Sequence, residues 1–223
     1  STPDGNLLSG ATTAELLTDT PGAYTLLVTN ADNECEQSAS VTVNQDIEAP
    51  IVDAGPGTTL DCQQTDYTLQ ATASGNASLT HDWSTDGGQI VSGGTTLSPV
   101  VDAPGTYTLL TTNQGNGCTA SSTVDIDENV DLPAITITAD TQIDCSTPTA
   151  TLDASSSDSG PGLAYEWSST DGSFSDSTGS AVITALQAGT YTLSITNTVN
   201  QCVSTETVTV IENTAVPLAD AGA

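Results

Sequence analysis

The phrase PGTYTLLTTN at Pro104 has two near-copies, PGAYTLLVTN at Pro21 and AGTYTLSITN at Ala188, lying 83 residues before it and 84 after. Pro50, Pro133 and Pro217 keep the same spacing. A constant offset of this size marks tandem units and outranks chain length as a guide to organisation. The expected division is the C-terminal part of a first repeat (1–46), a second (47–129) and a third (130–212) complete repeat, and the start of a fourth (213–223). STPDGNLLSG at Ser1 lines up with STDGGQIVSG just after Trp83. The expectation is therefore a window cut from a longer array.

Within 47–129, short alternating runs are separated by Gly, Pro, Asn and Asp clusters roughly every ten residues, the pattern of a β-sandwich. YTLQATA places Tyr67, Leu69 and Ala71 on one face; LTHDW does so with Leu79, His81 and Trp83; TYTLLTT with Tyr107, Leu109 and Thr111; TVDI with Val124 and Ile126. The third repeat follows the same scheme with Ala150, Leu152, Tyr165, Trp167, Tyr191, Leu193 and Ile195. No run has the 3.6-residue period of a helix, and Ser and Thr suit solvent-facing strand positions. The reading is all-β, with tandem immunoglobulin-like sandwiches arranged end to end. Trp83, Tyr107, Trp167, Tyr191 and Tyr24 are the expected core aromatics, and the recurring phrase is a turn that delivers the tyrosine onto its strand.

Charge narrows the partners. There are 28 acidic residues and no Lys or Arg, so nucleic acid and anionic membrane would be repelled. No Lys or Arg ion pair can form, and solvent cations must neutralise the surface, which makes folding and association depend on salt. An acidic chain of modest hydrophobicity can be disordered, but the regular alternation argues for folded units. This window contains no transmembrane run and no leader, and no direct membrane insertion is expected of it.

A second recurring phrase, N-x-x-N-x-C, occurs at Asn30–Asn33–Cys35, Asn113–Asn116–Cys118 and Asn197–Asn200–Cys202. It reads as a hairpin in which Asn supplies turn geometry; a lone thiol with two amides is a poor metal site. Carboxylates gather where repeats join: Asp46, Glu48 and Asp53, then Asp127, Glu128 and Asp131. Calcium takes several oxygen ligands, so these six are candidate ligands for the only ion expected, with no other cofactor. The third junction offers only Glu212 and Asp220. TPDG at Thr2, TDGG at Thr85 and TDGS at Thr170 read as turns through Asp4, Asp86 and Asp171. His81, the single histidine, takes the place of Tyr165 in the next repeat and reads as packing beside Trp83. Asn76 opens one N-glycosylation pattern. Phe174, in an expected loop, is the one aromatic left for a sugar platform, and one ring does not make a platform.

VDAG, TLDAS at Thr151, YEWSSTDG at Tyr165 and AGTYTLSITN together resemble the polycystic-kidney-disease (PKD) type of immunoglobulin-like repeat. NGCTAS at Asn116 followed by TVDI is similar to repeats of giant Bacteroidota surface adhesins exported by type IX secretion, gliding-motility adhesins among them. The resemblance implies an extracellular setting at a bacterial cell surface. It implies a non-enzymatic stalk or filament segment that gives reach and mechanical stability for adhesion or surface motility. Its partners are neighbouring repeats of the same chain, with lateral self-association into a filament. The alternative is an adhesive module whose loops contact a glycan or a partner protein.

In an exported protein the five cysteines are expected in disulfides. Cys62–Cys118 and Cys145–Cys202 are the within-repeat pairs. Sandwich topology puts Cys62 at the far end of its repeat and Cys118 at the near end, about 25 Å apart, whereas a disulfide needs Cα atoms within about 7 Å. Pairing between repeats, Cys62 with Cys202, is preferred, leaving Cys35, Cys118 and Cys145 to partners outside the window.

Overall fold

The computed structural model describes residue 1 and residues 5–215. The expected fourth repeat beyond 215, with Pro217 and Asp220, and the turn through Asp4 lie outside the described residues. The described residues hold twenty strands and no helix. The chain forms two compact units, one of Ser1–Val52, Ala73–Thr80 and Thr111–Ala120, the other of Asp53–Thr72, His81–Leu110 and Ser121–Ala223.

Before residue 50 the strands are β1 (Leu7–Ser9), β2 (Leu17–Thr18), β3 (Gly22–Thr29) and β4 (Glu36–Val43). They form two antiparallel pairs, β1 with β2 and β3 with β4. Then come β5 (Ile51–Asp53), β6 (Thr58–Asp61), β7 (Tyr67–Thr68), β8 (Thr72–Ser74), β9 (Leu79–Asp86), β10 (Ile90–Ser92), β11 (Val100–Val101), β12 (Gly105–Asn113) and β13 (Thr119–Asn129). These make a four-stranded sheet in the order β6-β13-β12-β9, a three-stranded sheet β10-β11-β7, and the pair β5-β8.

The last set is β14 (Thr138–Ala139), β15 (Gln142–Asp144), β16 (Ala150–Asp153), β17 (Leu163–Ser169), β18 (Val182–Ala185), β19 (Gly189–Asn197) and β20 (Val203–Asn213). It repeats the architecture, with sheets β15-β20-β19-β17 and β14-β16-β18. The short strand that opens each four-stranded sheet runs parallel to the last strand, Asp61 opposite Asn129 and Asp144 opposite Asn213. The other registered pairs in these sheets are antiparallel. Two sheets with this order, antiparallel apart from that one parallel pair, are an all-β, immunoglobulin-like sandwich, here in tandem.

The cores follow from strand alternation. On β19, Tyr191, Leu193 and Ile195 are fully buried and pack with Trp167, Leu152, Ile183 and Val210. Each such side chain contributes about 1.5–3 kcal/mol by leaving water. The repeated tyrosine has one job at all three positions. Its hydroxyl donates to the carbonyl four residues upstream: Tyr24 to Thr20 (2.6 Å), Tyr107 to Ala103 (2.6 Å) and Tyr191 to Gln187 (2.7 Å). This is the tyrosine corner of immunoglobulin-like sandwiches. Each tryptophan donates its indole N–H thirteen residues ahead, Trp83 to the carbonyl of Thr96 and Trp167 to that of Ser180.

The corner explains two glycines. A Cβ at Gly88 or Gly172 would stand 2.4 Å from the hydroxyl of Tyr107 or Tyr191. The structurally matching pair is therefore Gly88 with Gly172, one residue out of register with the shared Asp-Gly of TDGG and TDGS. On β3 and β4, Leu26, Val28 and Val41 are exposed, whereas Leu109, Thr111 and Val124 at the corresponding positions are buried. Among the described residues, β3 and β4 have only each other as strand partners.

Candidate functional site

The N-x-x-N-x-C phrase forms the tip of the hairpins β3–β4, β12–β13 and β19–β20. The first Asn N–H donates to the carbonyl of the Cys at 2.9, 2.8 and 2.8 Å for Asn30, Asn113 and Asn197. The residue before the Cys takes a left-handed conformation: Glu34 (φ 55°), Gly117 (φ 74°) and Gln201 (φ 56°). The middle Asn closes the turn, its Oδ1 accepting the Cys N–H at Asn33 (3.1 Å), Asn116 (2.9 Å) and Asn200 (3.0 Å). That leaves its amide N–H₂ to donate outward.

In the second unit the amide of Asn200 donates to Oδ1 of Asn129 and to the carbonyl of Asp131, both at 2.9 Å. Asn129 ends β13 and Asp131 lies in the segment leading to β14, so Asn200 ties the hairpin tip to the joint between the two strand sets. It is buried, and all of this polarity is satisfied inside the protein. In the first unit the amide of Asn116 donates to Oδ1 of Asp46 (2.8 Å) and to the carbonyl of Glu48 (2.9 Å). Asp46 and Asn129, like Glu48 and Asp131, are 83 residues apart. The clamp is thus built twice from corresponding residues.

Cys62 and Cys202 form a disulfide with Cα atoms 5.0 Å apart, spanning 140 residues. The Cys62 N–H donates to the carbonyl of Asn200 (3.2 Å), so backbone and sulfur join the same two loops. Cys62 is presented by a tight turn in which Oδ1 of Asp61 accepts the N–H groups of Gln63 and Gln64. Cys202 is fully buried. The within-repeat alternatives, Cys62–Cys118 and Cys145–Cys202, do not form. Cys145 follows β15, whose last residue pairs with Asn213 at the end of β20, while Cys202 precedes the start of β20. Eleven residues of strand, on the order of 35 Å, separate those ends. β13 imposes the same span on the residues that flank Cys62 and Cys118. Cys35, Cys118 and Cys145 are free thiols, the first and last exposed.

Among the described residues no three His, Cys, Asp or Glu side chains gather into a metal site. Of the six candidate calcium ligands, Asp46 is engaged by protein donors: the amides of Asn116 and Asn76 and the N–H of Glu48. The Asn116 amide, with the Glu48 N–H, holds the Asp46 carboxyl below its usual range. Asp53 accepts the Gly55 N–H, and the carbonyl of Asp131 takes the Asn200 amide. Asp127 and Glu128 are exposed on β13. Asn76 also accepts the Asn113 amide (2.6 Å). His81 is half-buried on β9, two residues before Trp83.

Phe174 corrects one sequence reading. It is not a free loop aromatic: its ring meets Tyr191 edge-on at 6.3 Å and packs against the core of the last sandwich, and its backbone bridges to Ala185. The pattern around it was turn-like because one isolated bridge, not a strand, holds it. Sequence reading does not find Asn129 as an acceptor, and it takes Asp131 for a calcium ligand where the structure uses its backbone carbonyl. The signal was their spacing from Asp46 and Glu48, which matches that of the proline at each junction.

Residues 138–211 match the family profile described as K319L-like, PKD domain. That stretch is similar to a PKD-type, immunoglobulin-like repeat. No curated protein matches the chain significantly in sequence. Among solved structures, the chain is similar to the PKD domain of human KIAA0319, at 9% identity, 38% of this chain, 84% of that one and a TM-score of 0.32. It is similar to extracellular domains 3–5 of Drosophila OTK, at 16% identity over 87% of this chain and 72% of that one, TM-score 0.38. It is also similar to the EC1–4 fragment of Drosophila N-cadherin, at 15% identity over 89% of this chain and 59% of that one, TM-score 0.42. Among the described residues no helix is long and apolar enough to cross a membrane.

Proposed function

We propose that this chain is a non-enzymatic, load-bearing segment of a stalk or filament on a bacterial cell surface. It belongs to a large secreted repeat protein of the adhesin kind that type IX secretion exports. In this reading the repeats 1–46, 47–129, 130–212 and 213–223 are its units, and neighbouring repeats are its first partners. Lateral association into a filament is screened by solvent cations, since the chain carries 28 acidic residues and no Lys or Arg.

The observation that carries the reading is the braced joint. A covalent bond between Cys62 and Cys202, the buried Asn200 clamp and the Cys62 backbone bond all hold one set of strands to the next. A flexible tether needs none of these, whereas a member that transmits force or keeps its length needs resistance to bending at every joint. Persistent disulfides belong to oxidising compartments, which supports export. The reach of the array then grows with repeat number, as in other quasi-one-dimensional proteins.

The test is immunogold imaging of the parent cell with antibody raised against residues 1–223. Label distributed along surface fibres or stalks supports the reading. Label confined to fibre tips points to the adhesive alternative, and label inside the cell overturns both.

A further inference from the structure

We propose that the end of the last sandwich bearing Cys145 is a docking site for the Asn-x-Cys hairpin tip of another repeat of this kind. The inference rests on the braced joint of the proposed function and not on where the chain is displayed.

Besides the Asp131 carbonyl, three features receive the Asn200–Cys202 tip at the observed joint. They are the thiol of Cys62 at the end of β6, the Cys62 N–H, and Oδ1 of Asn129 at the end of β13, which lies opposite Asp61. The corresponding end of the last sandwich carries the same three. Cys145 follows β15 directly and is exposed with a free thiol. Asp144 holds the loop in the same turn: its N–H donates to the carbonyl of Thr147 as that of Asp61 does to Gln64, and its Oδ1 accepts the N–H groups of Ser146 and Thr147. The hydroxyls of Ser146 and Thr147 also donate to it, and this set of donors holds its carboxyl below the usual range. Asn213 lies opposite Asp144 in the same parallel register, as Asn129 does opposite Asp61. Ala215 stands where Asp131 supplies its carbonyl, a role that any residue fills.

The occupant is fixed by complementarity with the joint already seen. The site offers one thiol, one N–H donor and one amide acceptor. The Asn-x-Cys tip offers a thiol, the Asn carbonyl and the Asn amide donor. Closing the bond breaks two S–H bonds and forms one S–S bond. The two electrons and two protons pass to a disulfide oxidant such as oxidised glutathione, which leaves as two thiols.

The test extends the full chain by inserting a copy of residues 130–213 directly after Asn213, with refolding in a glutathione buffer. The extended chain has seven cysteines. If Cys145 pairs with Cys202 of the copy and the bond already present stays intact, three thiols remain open to alkylation; without the new bond there are five. Three thiols, with a peptide map linking Cys145 to the copied Cys202, is the expected result. Asn213→Ala should lower the equilibrium constant of that bond roughly three- to tenfold, the worth of one hydrogen bond. Five thiols with Cys62–Cys202 intact, or Cys145 joined to any other cysteine, would overturn the proposal.

A second measurement covers the case in which the extended chain does not fold. Chains carrying Cys35→Ser and Cys118→Ser are mixed with chains carrying Cys118→Ser and Cys145→Ser. Cross-links from Cys145 to Cys35 should exceed Cys145–Cys145 links about tenfold, because the Asn33–Cys35 tip is recognised by more than its thiol. A statistical mixture of links contradicts it.

Discussion

Replacing Cys62 by Ser removes the disulfide at its exposed end, so little packing is lost with it. The effect can be worked from the chain closed by the bond. For the full span of 140 residues, the loop-closure entropy is about 17 cal/mol/K, or about 5 kcal/mol at 25 °C. If the last sandwich unfolds while Asn129 stays held beside the Cys62 strand, the closed loop runs from there to Cys202. That loop is on the order of 70 residues and still contributes about 4.4 kcal/mol. Measured disulfides usually deliver somewhat less, so the expected loss is about 2–4 kcal/mol. For a domain of this size that lowers Tm by roughly 10 °C or more.

Each complete repeat carries one buried tryptophan, Trp83 or Trp167. A Trp83→Phe background therefore leaves Trp167 to report the last sandwich alone. Urea unfolding followed by its fluorescence would compare the parent, Cys62→Ser, and both under reductant. The parent should be the more stable only when oxidised, the two curves coinciding once reduced. Equal midpoints under oxidising conditions would refute it. A difference that survives reduction would show that the side chain, not the bond, was responsible.

Two further outcomes follow from the same geometry. Asn200→Asp replaces a buried amide donor with a carboxylate facing Oδ1 of Asn129 and the carbonyl of Asp131, and should cost about 3 kcal/mol or more in urea unfolding; a loss no greater than that of Asn33→Asp on the exposed first hairpin would contradict the clamp. Burial, with the nearby Asp171 charge also acting, pushes the Tyr191 phenol above its ordinary value. The raised value means that its contribution is complete below pH about 10 and is lost as pH rises through the folded value. Tyr191→Phe should cost about 1–2 kcal/mol at neutral pH by removing the bond to Gln187, and should flatten the alkaline fall in Tm; an unchanged alkaline profile would remove Tyr191 from the account.

Much of the fold is written locally. Alternation on GTYTLSITN puts Tyr191, Leu193 and Ile195 on one face whatever the rest of the chain does. The four-residue reach of each tyrosine to its upstream carbonyl is equally a local matter. Strand length bears directly on the cysteines, because the two within a repeat flank the opposite ends of an eleven-residue strand. Less legible were features set by partners distant in sequence. Asn200 reads as a turn residue because half of its side chain closes a turn; the other half bonds to residues about seventy positions earlier. Phe174 has no strand around it, so nothing local says that it covers Tyr191. Asp46 reads as a calcium ligand because a carboxylate's charge is visible in sequence, and the two Asn amides that engage it are not.

The central claim is that the disulfide locks the second and third repeats into one mechanical element. Pulling single molecules from residue 1 and residue 223 tests it directly. In oxidised protein the span between Cys62 and Cys202 cannot extend, so full stretching should fall short of that in reductant by 140 residues, about 500 Å at roughly 3.6 Å per residue. The account predicts that shortfall and its recovery on reduction. Equal contour lengths in the two conditions would contradict it.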